Sequence, residues 1–236
     1  STEPPADPGP PGLSPLPTVA PGRSGGDLDP ISKRSRNIST RSMNEARVEP
    51  YGRRAVPSSI TDVAHLVRRA GFGASVAEMR QLTALSREQL VDKYLNAPVS
   101  GPNRPSILDS GAEDWEMFVG LQQWWVERMA STSPLAEKMA LFWHGHFCSA
   151  YEKVASAPLM WQQIALFRSM GLGNFRSLTK YASVTAAMLR YLDNETNVAG
   201  APQENFAREL WELFMLGVGN YTQDEVVDSA RAWTGH

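Results

Sequence analysis

From Ile60 to His236 the sequence is punctuated again and again by residues that start or stop a helix, with hardly any of the two-residue alternation that a half-buried strand requires. Ser75 with Glu78, Ser86 with Gln89 and Thr222 with Glu225 have the spacing of a capping box, in which each side chain satisfies a free backbone N–H near the other. Thr61 can cap a helix carrying Val63, Leu66, Val67 and Ala70 on one face, with Gly71 and Gly73 as its stop. Two short helices follow, ending near Pro98, and a proline-rich loop leads to a longer segment striped by Trp115, Phe118, Gln122, Trp125 and Met129. That stripe is either core or a docking face.

Ser133 followed by Pro134 marks another start, because proline at the first helical position gives up a donor that has no partner there. Pro158 opens a segment with Met160, Gln163, Phe167 and Met170, closed by Gly171 and Gly173, and short helices are expected around Leu178 and Met188. Residues Gln203 to Leu216 read as a helix with Phe206, Leu210, Leu213 and Phe214 on one side and Gly217 as a left-handed stop. Tyr221 can staple onto Val226 in the helix after it. The expected fold class is all-α, an irregular multi-helix domain over residues 60–236.

Residues 1–59 stand apart. Nine prolines among Gly and Ser in the first thirty positions leave almost nothing apolar to bury, which predicts a disordered Pro-rich tail. Lys33, Arg34, Arg36, Arg41, Arg47, Arg53 and Arg54 then make the tail basic, as a solvated linker or as an arm for acidic envelope polymers or lipid headgroups. Over the whole chain 23 Lys and Arg nearly balance 25 Asp and Glu, so no global field drives the protein onto nucleic acid. One cysteine, Cys148, excludes an internal disulfide framework and any multi-thiolate zinc site. No apolar run approaches the roughly 18 to 20 residues that cross a bilayer, so no transmembrane segment is expected. The first residue is Ser, which implies either a removed leader or a missing N-terminus.

Several blocks in one order carry a recognisable pattern: HLVRRAGFGAS from His65, LAEKMALFWHGHF from Leu135, GNFRSL from Gly173, AMLRYLDNETN from Ala187, ENFARELWELFMLGVGNYT from Glu204 and SARAWTGH from Ser229. Together they resemble the bacterial family known as domain of unknown function 1800. The resemblance implies a mostly helical, typically exported protein, periplasmic or secreted, often encoded beside a second protein resembling sulfatases. It also implies that the chain is an N-terminal portion truncated at the C-terminus, because members continue well past this point, and a missing C-terminal half is then an expected partner. His236 stands where the family pattern has an aromatic residue. The resemblance supplies no catalytic residues.

Candidate chemistry therefore comes from the residues themselves. Trp143, His144, Gly145, His146 and Phe147 invite a metal reading, since neutral imidazole is a common ligand. On a continuous helix residues two apart point about 200° apart, so His144 and His146 serve one ion only if the helix breaks at Gly145. With Leu135, Met139 and Phe142 setting the buried face, His146 falls on it and His144 points away, near Glu137. The alternative for His146 is a core histidine bonded to a carboxylate or carbonyl.

In the Gln203 helix a wheel at about 100° per residue puts Glu209 half-buried between Leu213 and Leu216, while Glu204, Arg208 and Glu212 form a surface ladder. A half-buried carboxylate has the environment that a general acid or metal ligand needs. Between helices, Asp193, Glu195, Asn197 and Glu204 occupy positions one, three, five and twelve of a calcium-type loop, but Val198 replaces the glycine at position six. An Asx-rich loop that satisfies its own backbone is the other reading. Cys148, four residues after His144, is either half of a thiolate pair or an inert thiol. Arg190, Arg208 and Arg231 are either an anion clamp or internal charge partners.

There is no phosphate loop, dinucleotide fingerprint, GxSxG elbow or HExxH. Two function classes remain. One is an exported enzyme acting on an envelope or extracellular substrate, with His146 and Glu209 as catalytic residues and a divalent metal ion held by some of His144, His146, Glu209, Asp193, Asn197 and Glu204. The other is a noncatalytic scaffold or maturation partner of the neighbouring sulfatase-like protein.

Overall fold

Side-chain caps fix where the helices of this chain begin. In a computed structural model, which describes residues 59–98, 104–130 and 134–236, the Ser59 hydroxyl accepts from the Asp62 N–H and starts α1, Ile60–Ala70. The cap is Ser59, not Thr61, which lies inside the first turn. Both boxes follow as expected: Ser75 with Glu78 opens α2, Val76–Thr83, and Ser86 with Gln89 opens α3, Arg87–Leu95. The expected Pro-rich tail and its basic residues lie outside the described residues, apart from Ser59, and so does Ser133.

Val63, Val67 and Ala70 of α1 pack with Leu82 of α2 and Leu90 and Tyr94 of α3, closing a small core against Leu135. Complete burial of one such aliphatic side chain contributes about 1.5–3 kcal/mol. The larger body is built from α4, Asp114–Met129, α5, Pro134–His146, and α7, Ala157–Met170, with the single turn α6, Tyr151–Val154, between the last two. The shorter helices α8, Phe175–Ser183, and α9, Ala186–Tyr191, close over α7. The most extensive packing between elements is α5 on α7. It is tight enough that Gly171 has no room for a side chain: a Cβ there would lie 2.8 Å from Trp143 Cδ1, and Trp143 Nε1–H donates to the Gly171 carbonyl at 2.7 Å.

The buried face of α5 differs from the expected one. Ala136, Glu137 and Ala140 are buried together with Phe147 just past the helix end, whereas Phe142 is 57% exposed. A wheel anchored on the largest apolar side chains is out of phase here, because the close α5–α7 approach needs alanines. Glu137 and Arg168 of α7 occupy this dry interface, their side chains 0% and 2% exposed. Arg168 reaches both Glu137 oxygens through Nε, at 2.8 and 3.0 Å, and one of them through Nη2, at 2.8 Å. Trp125 Nε1–H of α4 donates to the same carboxylate at 3.2 Å, so one anion joins three helices.

Beyond α9 the chain runs through a loop into α10, Asn205–Glu209, which continues without interruption as a π-helix, Leu210–Met215. The Leu216 N–H reaches the Trp211 carbonyl at 2.7 Å, five residues back. Because of that wider turn, the expected apolar stripe from Gln203 to Leu216 fails in its second half: Phe206, Leu210 and Phe214 are buried, but Leu213 is 57% exposed. Gly217, at φ +79°, ends the element in the left-handed conformation, as expected. The box of Thr222 and Glu225 opens α11, Gln223–Ala232, and Tyr221 packs against the cluster of Ala207, Val226 and Ala230. The fold is all-α: among the described residues there is no strand, only an isolated bridge between Val198 and Ala201, and no helix is long and apolar enough to cross a membrane.

The buried pair yields a direct expectation. Glu137→Ala leaves the Arg168 charge without its carboxylate and costs about 3–5 kcal/mol in chemical denaturation. Glu137→Leu combined with Arg168→Met recovers part of that loss, with a residue of about 1–3 kcal/mol because the Trp125 N–H stays unpaired.

Candidate functional site

The α4 stripe acquires its meaning from what it faces. Phe118, Gln122, Trp125 and Met129 line one wall of a cavity of about 360 Å³, with Leu141 and His144 of α5, Met160 and Ile164 of α7, and the segment from Ser149 to Glu152 around the rest. Three hydrogen-bonded arrangements hold that frame. Asp114, the first residue of α4, accepts from the Tyr151 hydroxyl at 2.8 Å and from the Ala157 N–H at 3.0 and 3.1 Å, so α4 caps the start of α7 and fixes the loop between them. Desolvation, and then the Asp114 carboxylate, push the Tyr151 phenol above its ordinary range. Ser149 donates to the Gln163 amide oxygen, and the Gln163 amide reaches the Phe147 carbonyl at 3.5 Å.

His144 belongs to this cavity. Its ring stands edge-on to Trp125 at 5.5 Å between centroids and lies 6.5 Å from that of Phe167. Its Nδ1 is buried without a hydrogen-bond partner. Desolvation lowers the imidazole pKa below its ordinary 6.5, so the ring is neutral at neutral pH.

His146 faces elsewhere. The helix is continuous through Gly145, so the two imidazoles diverge, and His146 packs beside Phe147, Phe175 and Phe214. Its Nε2 lies 3.0 Å from the Phe214 carbonyl. A carbonyl only accepts, so Nε2 carries the proton and donates to a backbone oxygen at the end of the π-helix, where regular pairing runs out. The α5 terminus and the Glu209 element do meet, but through this backbone contact. Glu209 is half-buried and makes no hydrogen bond or ion pair with His146.

The calcium-type loop is committed to structure. Asp193, at φ 61°, pairs with Lys153 at 2.7 Å and accepts weakly from the Asn205 amide. Asn197 is buried; its amide donates to Ala230 O and Asn194 Oδ1, and its oxygen accepts from the Gln203 N–H. Glu204 pairs with Arg208 and with the Gln223 amide. Arg190 binds Glu195 and the Val154 carbonyl, and Arg231 binds Asp228, so these arginines are internal charge partners. Cys148 is a free, half-buried thiol. Among the described residues no three His, Cys, Asp or Glu side chains come together in a way that could hold a metal ion, and the geometry does not gather His144, His146, Glu209, Asp193, Asn197 and Glu204 into one centre.

Residues 65–236 match the family described as protein of unknown function (DUF1800). The chain belongs to this family. The match takes in α5, the π-helix and every residue of the cavity. No curated protein and no solved structure matches the chain.

In this family member the sequence reading missed the buried Glu137–Arg168 pair and the role of His144. A partial signal was available for the pair: Arg168 is the one charged residue in an α7 otherwise rich in Met160, Trp161, Ile164 and Phe167, and a charge that such a helix buries needs a partner. For His144 there was no such signal, because its side of the helix depended on the phase chosen for α5.

The low pKa of His144 makes stability depend on pH. The unfolded imidazole binds a proton near 6.5 and the folded one only at lower pH, so stability is full above about 6.5 and falls as the pH drops through that value toward the folded pKa. Thermal unfolding followed between pH 7.5 and 5.5 is expected to show this loss in the parent chain, and a flatter profile in His144→Phe, which keeps an aromatic ring without a titrating nitrogen.

Proposed function

We propose that this chain is an exported, noncatalytic docking module whose partner is the sulfatase-like protein implied to be encoded beside members of the family. The observation that carries this reading is the apolar surface around the π-helix. Leu213, Met215 and Val218 are 57%, 52% and 78% exposed, and Phe142, Leu172, Phe175 and Leu216 are also exposed. Ring contacts link the two exposed phenylalanines to the π-helix: Phe142 touches Trp143 and Trp143 stacks on Phe175, while Phe175 and the buried Phe214, which Leu213 and Met215 flank in the chain, both lie against His146. Apolar side chains grouped in this way mark interaction surfaces, whereas scattered ones do not. The π-helix is what turns Leu213 outward. His146, bonded to Phe214, anchors that surface to α5.

The rival reading is a divalent-metal enzyme centred on His146 and Glu209. The half-buried Glu209 carboxylate favours it, and the engagement of His146 with a backbone oxygen stands against it.

Co-expression with the sulfatase-like protein tests the proposal. A complex is expected at micromolar concentration, weakened at least about tenfold by combined Leu213→Glu and Met215→Glu, which change exposed side chains and leave the core intact. No complex at that concentration, or one indifferent to both changes, refutes it. Elemental analysis of the same preparations decides the rival: stoichiometric metal that disappears in Glu209→Gln would replace docking with metal chemistry.

A further inference from the structure

Of the polar side chains that line the α4–α5–α7 cavity, Gln122 and Glu152 are exposed, and the buried or half-buried ones in and behind its wall are engaged, with one exception. Glu137 is held by Arg168 and Trp125, Tyr151 by Asp114, and Ser149 by Gln163. His144, half-buried between the rings of Trp125 and Phe167, has no hydrogen bond to the protein. Buried polar groups without partners are exceptions that call for an explanation. The two ring nitrogens are not equivalent. Nδ1 is sealed off, and an orphaned N–H is rarer than an orphaned lone pair. The proton therefore belongs on Nε2, the ring nitrogen that is not sealed in, on a side chain that lines the cavity.

We infer that this cavity is a binding site for an uncharged, largely apolar small molecule whose carbonyl or hydroxyl oxygen accepts a hydrogen bond from His144 Nε2. Its apolar body lies against Leu121, Trp125, Met160 and Ile164. A volume of about 360 Å³ is at the lower end of the range for small-molecule sites, about 300–1,000 Å³. Charge narrows the class further. No Lys or Arg lines the cavity and Glu152 stands at its edge, so a carboxylate or phosphate on the ligand would lose its hydration without a cation to replace it. The imidazole is itself neutral and offers a single donor. This site is separate from the apolar surface at the π-helix, so each stands or falls without the other.

Octanamide, which joins an apolar tail to an uncharged amide oxygen, is the probe, and octanoate is its anionic counterpart. Titration of the full chain, followed by calorimetry and by the ¹⁵N resonances of its histidines, is expected to show saturable one-to-one binding of octanamide that shifts the His144 Nε2 signal. Octanoate should bind at least about tenfold more weakly. His144→Phe, which keeps the ring and removes the donor, should weaken octanamide about tenfold, the effect of one lost hydrogen bond. Gln122→Trp fills the cavity from an exposed position on α4 and should abolish binding. The proposal is overturned if octanamide shows no saturable binding up to millimolar concentration, if octanoate binds as well, or if His144→Phe binds unchanged. Should His144→Phe fail to fold, retained binding in Gln122→Trp overturns it instead.

Discussion

A single buried carboxylate holds the centre of this protein together. Glu137 takes the guanidinium of Arg168 from α7 and the indole N–H of Trp125 from α4 while sitting on α5. Two charges withdrawn from water lose several kcal/mol each in solvation, and only good geometry with additional donors returns it. Here the Nε and Nη2 contacts together with the indole supply those donors, and the Trp124 ring lies 5.1 Å from the guanidinium carbon. The arrangement specifies register more than it adds stability. Together with the Trp143–Gly171 contact at the other end of the interface, it leaves one α5–α7 position in which neither charge is stranded.

That fixed register determines what the rest of α5 presents. With Glu137 pointing inward, His144, seven positions on, falls on the same side and reaches the cavity, while His146 is carried round to the π-helix. The two imidazoles are two residues apart and have unrelated surroundings. One is unpartnered and kept neutral by desolvation, and the other is spent on a backbone carbonyl. The π-helix adds its own constraint, since a turn closed at five residues, as from Leu216 to Trp211, moves every later side chain out of α-helical phase.

Helix starts and stops were legible in the sequence because caps are local: Ser75, Ser86, Thr222 and Gly217 act within a few residues of themselves. Ser59 displaced Thr61 because both are competent and Asp62 lies at the right distance from the former. The family was legible for a similar reason, its blocks being contiguous. Facing directions were not. The phase of α5 turned on whether Phe142 or Ala140 marks the interior, and alanines win where two helices need close approach, which depends on a neighbour that one helix's own pattern does not reveal. Leu213 was misplaced because a wheel presumes one twist throughout, and nothing in LWELFM announces a change of twist. Asn197 was legible only as an alternative, since its bond to Ala230 spans 33 residues.

The contact between Asp114 and the Ala157 amide joins positions 43 residues apart. As the chain leaves the ribosome, the carboxylate is already in place before the helix that it starts has been synthesised. Ser156 makes no side-chain cap for that helix, so beyond Pro158 in its first turn its start relies on the Asp114 carboxylate. Its first turn thus takes its capping acceptor from the start of α4, and the same carboxylate holds Tyr151, so the shape of the segment before α7 depends on α4 as well.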